Sequence, residues 1–129
     1  MRFLLCRTDG IGDLVVSLPV QNCILEREPS AEVFWLVKPD TAPILDHLPG
    51  VSGVLHRPPD ADLERLIEIV GPNVLLNLGH RDRMIVPAAK RAKVPIRVAK
   101  QRGIQQTLAA THIIWGGSKR GYHESQYSR

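Results

Sequence analysis

The chain has 129 residues, 43% of them hydrophobic and 23% charged, with a formal net charge of +4. That length fits one globular domain with a sizeable core, and no apolar run approaches the roughly 18 residues of a transmembrane helix. The charge is unevenly spread: up to residue 78 eleven Asp/Glu outweigh six Lys/Arg, a balance of −5, and from residue 79 eleven Lys/Arg outweigh two Asp/Glu, a balance of +9.

Residues 2–7, an apolar run ending in turn residues, read as a buried strand rather than a secretory leader. Arg7-Thr8-Asp9-Gly10-Ile11-Gly12-Asp13-Leu14 follows, a glycine turn with a carboxylate on each side. Residues 12–27 carry Leu14, Leu18, Asn22 and Leu25, with Val15 and Ile24 beside them, at helical spacing; Pro19 predicts a kink, or a true start near Ser17. Cys6 and Cys23 fall in the strand and the helix without metal or disulfide spacing, and read as reduced core residues of a cytoplasmic protein.

Residues 33–37, Val-Phe-Trp-Leu-Val, give the strongest strand signal, β-branched, aromatic and stopped by Pro39. A short helix is expected over 40–47, then a third strand over 51–56 before Pro58-Pro59. Asp60 or Asp62 is expected to cap a helix running to about residue 70, with Leu63, Leu66, Ile67 and Val70 on one face, closed by Gly71-Pro72. Residues 74–78 form the fourth strand, and Gly79-His80-Arg81-Asp82-Arg83 the loop at its carboxyl end. A helix over about 84–92 leads to a short strand over 94–98, where Pro95 marks a strand start or edge. A basic loop over 100–103 and a last strand over 112–115 precede a polar tail, 116–129, which reads as an interdomain linker.

This alternation predicts a Rossmann-like parallel sheet with helices on both faces. Strand, glycine turn and helix together place a ligand at the carboxyl end of a sheet strand. A dinucleotide fingerprint would need a third glycine where Val15 stands, and Asp13 would bring negative charge to a pyrophosphate. A Walker loop lacks its Gly-Lys-Ser/Thr. Taken alone, the turn fits equally well a plain tight turn in which Asp9 or Asp13 caps the helix.

The opening Arg-Thr-Asp-Gly-Ile-Gly-Asp-Leu-Val-Val-Ser-Leu-Pro-Val resembles that of the lipopolysaccharide heptosyltransferases, glycosyltransferase family 9. Members open with a strand, a short polar turn holding a glycine-aspartate pair, a helix and a small-Leu/Thr-Pro motif. The resemblance continues through Val33-Phe34-Trp35-Leu36-Val37, Gly79-His80-Arg81, Val94-Pro95-Ile96-Arg97-Val98 with its basic loop, and His123-Glu124. It implies a GT-B architecture, two Rossmann-like domains facing each other across a cleft. The N-terminal domain receives the acceptor and the C-terminal one the nucleotide-sugar donor, typically ADP-heptose. On that reading residues 1–115 are the acceptor-binding domain and 116–129 begin the linker. The donor-binding domain has no counterpart, so the chain alone is expected to be inactive.

By the same resemblance Asp13 matches the general base of an inverting transfer, taking the proton from an acceptor hydroxyl as that oxygen attacks the anomeric carbon. Gly10 and Gly12 would let a bulky acceptor approach the backbone, and Thr8 beside them is a further substrate-binding candidate. The family's acceptors bear carboxylates and phosphates. Arg81 and Arg83 are the first candidates to bind them, with Lys38, Arg102 and His80 behind. The helix dipole that favours a carboxylate in the first turn also weakens it as a base, so positioning must supply much of the effect.

Implied partners are an anionic lipid-linked sugar acceptor and the nucleotide-sugar donor, with no metal and no cofactor besides that substrate. Contact with the inner face of the cytoplasmic membrane is left open, as is a homodimer through apolar surface that would face a second domain. The competing reading is a non-catalytic module in which the basic half holds an anionic glycolipid or nucleic acid. Nucleic acid is disfavoured, because aromatics make up 5% of the chain and no stacking pattern is visible.

Overall fold

The computed structural model describes residues 1–79, 82–100 and 112–114. In chain order its elements are β1 (Arg2–Arg7), α1 (Ile11–Ser17), α2 (Pro19–Arg27), β2 (Glu32–Val37), a 3₁₀ helix (Ala42–His47), β3 (Val51–His56), α3 (Asp60–Val70), β4 (Val74–Asn77), α4 (Ile85–Arg91), β5 (Ile96–Lys100) and β6 (His112–Ile114). The strands lie side by side as β3-β2-β1-β4-β5-β6, and every pairing is parallel. Parallel neighbours need a crossover between them, which the intervening helices supply. The chain steps outward from β1 to β3, then returns to lay β4 on the other side of β1. The two loops leaving β1 and β4 therefore diverge and open a crevice at the carboxyl ends of the strands.

Period-2 alternation assigns the side chains to two cores. On one face Leu4 and Cys6 of β1 meet Leu36 and Leu75, covered by Leu63 and Ile67 of α3 and by Ile85, Val86 and Ala89 of α4. On the other, Leu5 meets Val33, Trp35 and Val37, covered by Leu14 of α1, Val20 of α2 and Leu45 of the 3₁₀ helix. Both faces are buried, which is why β1 and β2 read as continuous apolar runs. Burial pushes the Cys6 thiol well above its ordinary value, with the Asp82 charge adding to the effect. Cys23 is only half-buried.

Several elements differ from expectation in instructive ways. The expected helix over 12–27 is two helices meeting at Leu18, with Pro19 opening the second, where its missing N–H costs nothing. Asp60 does not cap α3: the N-cap is Pro59, and the Asp60 carboxylate is taken by Arg57 Nη2 at 2.6 Å. Gly71 does end that helix, in the left-handed conformation at φ 61. The 40–47 segment is a 3₁₀ helix starting at Ala42, because Thr41 and Ala42 both turn their N–H groups back to the Lys38 carbonyl. The fifth strand starts at Ile96, since the Val94 N–H still bonds to Ala89 of α4 at 3.0 Å. It runs through Lys100, which closes a strand instead of opening a loop. Residues 101–103, Trp115 and the tail 116–129 lie outside the described residues.

One buried polar link ties the second helix to the sheet. Trp35 Nε1 donates to Gln21 Oε1 at 2.8 Å, and Gln21 Nε2 donates to the Pro49 carbonyl at 2.8 Å, with both side chains fully buried. Gln21→Leu would leave the indole N–H without an acceptor in the core. Urea denaturation should show a loss of about 2 kcal/mol, more than truncation of the exposed neighbour Asn22 to Ala.

Candidate active site

A cleft of about 330 Å³ sits at the carboxyl ends of the strands, lined by Thr8, Asp9, Gly10, Lys38, Arg57 and Asp82. Each lining residue follows a strand: Thr8, Asp9 and Gly10 leave β1, Lys38 leaves β2, Arg57 leaves β3 and Asp82 lies beyond β4. The strand order thus gathers on one edge residues that are up to 74 positions apart. Its centre is the β1/β4 crevice.

Asp82 is the hub of one half of the cleft. Arg57 grips it with a two-point fork, Nε to Oδ2 at 2.9 Å and Nη2 to Oδ1 at 3.1 Å. Thr8 Oγ1 donates to Oδ2 at 3.0 Å and the Met84 N–H to Oδ1 at 3.3 Å, while Asn77 Nδ2 donates to the Asp82 carbonyl at 3.2 Å. One carboxylate therefore joins the loops of β1, β3 and β4. Burial works to raise its pKa, but the Arg57 hydrogen bonds and charge, with help from Thr8 and Met84, outweigh that and hold it below the ordinary carboxylate value. The hydrogen bond to Asp82 in turn holds Arg57 more firmly protonated, against the opposing effect of burial, and Asp60 adds to it. Arg57 Nη1 also donates to the Pro58 carbonyl, so its donors are engaged within the protein.

The other half is built on Arg7, the last residue of β1, whose side chain is 1% exposed. Its Nη1 donates to the Leu78 carbonyl at the end of β4. Its Nη2 lies 3.1 Å from Asp13 Oδ1 and 3.8 Å from Asp9 Oδ2. Asp13 is half-exposed, at 48%, on the first turn of α1, so its carboxylate is tethered from below and open above. Asp9 is buried against Gly79, where a Cβ would come within 2.5 Å of its Oδ1. That contact requires glycine at the start of the β4 loop.

Of the residues singled out in the sequence, Thr8, Gly10 and Lys38 line the cleft, and Asp13 adjoins it through Arg7. Gly10 is the extended N-cap of α1. Gly12 is exposed within α1, and Arg83 is exposed beside Asp82; neither lines the cleft. His80, Arg81 and Arg102 lie outside the described residues. Arg7, Asp9, Arg57 and Asp82 were not singled out. A signal existed for Arg57, a charged residue directly after a strand, at the edge where such folds gather their ligands. The described part of the basic half is divided. Arg83 lies at the cleft end, whereas Lys90, Arg91 and Lys93 cluster where α4 ends, near the amino ends of the strands, with Arg91 held by Glu64 at 3.3 Å. Among the described residues no three His, Cys, Asp or Glu side chains are grouped to hold a metal.

Because Asp82 titrates below its ordinary value of 3.8 in the folded protein, its contribution is present above about pH 4 and fades as the pH falls further. Asp82→Asn should cost about 2 kcal/mol at pH 7 and flatten the acid limb of a stability-versus-pH curve. Gly79→Ala should cost about 1–3 kcal/mol by thermal or urea unfolding, through the clash with Asp9. Most of that loss should return in the Asp9→Ala background.

No family model matches the chain, and no curated protein matches it in sequence. Solved structures do. A family 9 glycosyltransferase from Veillonella parvula superposes with a TM-score of 0.79 at 12% identity, over 98% of this chain and 39% of that one. The E. coli heptosyltransferase WaaC, determined with ADP, gives 0.79 at 13% identity, over all of this chain and 45% of that one. E. coli ADP-heptose lipopolysaccharide heptosyltransferase II gives 0.74 at 15%, over 92% of this chain and 36% of that one. The chain spans less than half the length of each. It has the Rossmann-like α/β fold found in these heptosyltransferases, the family its glycine turn resembles.

Proposed function

We propose that the chain is the acceptor-binding half of an inverting GT-B glycosyltransferase. It would serve the transfer of a heptose from an ADP-heptose-like donor to an anionic lipopolysaccharide core acceptor. The observation that carries this reading is Asp13, a half-exposed carboxylate tethered by a buried arginine beside a cleft at the strand carboxyl ends, in a fold shared with heptosyltransferases.

In the proposed reaction the acceptor lies in the cleft with one hydroxyl against Asp13. The carboxylate takes that proton while the oxygen forms its bond to the anomeric carbon of the donor. The bond from that carbon to the nucleoside diphosphate breaks on the opposite side, its electron pair leaving with the diphosphate, and the configuration inverts. Donor binding falls to a second domain beyond this chain. Arg7 fixes where the carboxylate points, so the contribution of Asp13 is one of placement as well as proton transfer. Lys38 supplies a cation at the cleft for the acceptor's anionic groups, and Arg81, Arg83, Arg102 and His80 are proposed from the sequence as further partners for them. Surface contact with the membrane inner face and a homodimer through the exposed Ile11, Val15 and Val16 of α1 belong to the same proposal. No helix among the described residues is long and apolar enough to cross a membrane.

With a donor-binding domain supplied in the same polypeptide, Asp13→Ala should lower kcat for heptose transfer by at least about 100-fold. ADP affinity should stay close to the parent's, while the melting temperature falls because buried Arg7 loses its nearest counter-charge. Turnover within a few-fold of the parent would remove Asp13 from the base role.

A further inference from the structure

The cleft holds a second carboxylate that the reaction above does not use. The Asp9 side chain is 3% exposed, yet Asp9 lines the cleft. Its Oδ1 accepts no hydrogen bond, and its Oδ2 has Arg7 Nη2 at 3.8 Å, beyond hydrogen-bond length. A buried carboxylate normally collects several donors, and leaving one without them destabilises a fold. Arg7 itself is neutralised at closer range by Asp13, at 3.1 Å, so Asp9 is not required for that charge. The absence of a Cβ at Gly79 leaves room for this carboxylate, which a larger residue there would displace.

Oδ1 is enclosed against Gly79, so Oδ2, with no donor within hydrogen-bond length, is the oxygen suited to receive one from a ligand in the cleft. We infer that Asp9 is a ligand-binding residue of the cleft, accepting a hydrogen bond from a sugar hydroxyl adjacent to the one that meets Asp13, so that the site takes a vicinal diol of a pyranose ring. The two carboxylates approach the same guanidinium nitrogen, so they stand close enough for neighbouring hydroxyls of one ring to reach both. Lys38, an exposed residue of the cleft lining, is a cation for an anionic substituent on the same ligand. This inference deepens the acceptor reading of the cleft and rests on it.

The probe is methyl α-D-mannopyranoside, compared with its 2-deoxy and 3-deoxy analogues, titrated into the 129-residue chain and followed by backbone amide shifts. Saturable shifts are expected at Asp9, Gly10 and Lys38. Asp9→Asn should weaken binding at least tenfold while leaving the melting temperature equal to or above the parent's, because it removes an undonated buried charge. One deoxy analogue should show the same loss on the parent and no further loss on Asp9→Asn, the signature of a direct pair. Three outcomes overturn the inference: no binding of the pyranoside, equal binding by the parent and Asp9→Asn, or a melting temperature several degrees lower in Asp9→Asn. The last would make Asp9 a structural prop for Arg7. None of these outcomes touches the role of Asp13, which is read from transfer and not from binding of the probe.

Discussion

A guanidinium buried at the end of the central strand has to be neutralised on the spot, and much of this site follows from how Arg7 is satisfied. Its carbonyl partner, Leu78, directly follows β4, and its nearest carboxylate, Asp13, lies on the helix that follows β1, with Asp9 of the turn farther off at 3.8 Å. A single side chain therefore locks together the two strands between which the crevice opens. Removing a charge from water costs several kcal/mol unless opposite charges and acceptors surround it, so the turn cannot wander without breaking these contacts. Gly10 is extended at φ −74 and ψ 174 and leads into the helix that carries Asp13.

The second network, on Asp82, has a different physical character. Here the carboxylate is the hub and its partners come from loops that the strand order keeps apart, since β3 is the outermost strand and β4 lies beyond β1. The result is a belt across the crevice, with Arg57 at one end and Thr8 at the other. With Arg57 engaged by Asp82, Asp60 and Pro58, Lys38 is the cation on the described cleft wall whose charge faces outward. An anionic ligand would meet that lysine before it met Arg57. The belt shapes the cleft; Lys38 and the carboxylates near Arg7 carry the chemistry proposed for it.

The chain spans less than half the length of each of the solved structures that share its fold. The crevice between β1 and β4 is where an open α/β sheet takes its ligand whatever the reaction. The function proposed here therefore depends on side chains, above all the carboxylate on the first turn of α1, and not on the sheet.

What the sequence determined by itself is the local structure. Apolar runs of four to six residues, helical spacing of leucines and the punctuation by Pro19, Pro39 and Gly71-Pro72 placed most elements within a few residues and predicted the parallel sheet, because period, propensity and turn chemistry act over short distances. The glycine-aspartate turn was legible for the same reason. Only the tertiary structure decided which charges meet. Arg7 looks like the polar end of a strand, Asp60 like a helix cap and Asp82 like one more residue of a basic loop. Asp60 is captured by Arg57 three positions before it, whereas Arg7 contacts Leu78 and Asp82 joins three loops because strand order brings residues distant in the chain to one edge. Charge counted along a chain does not say where it lies in space, and so the basic half, read as one surface, is divided between the cleft end and the far end of α4. Pairing across 25 to 74 positions leaves no periodicity to read.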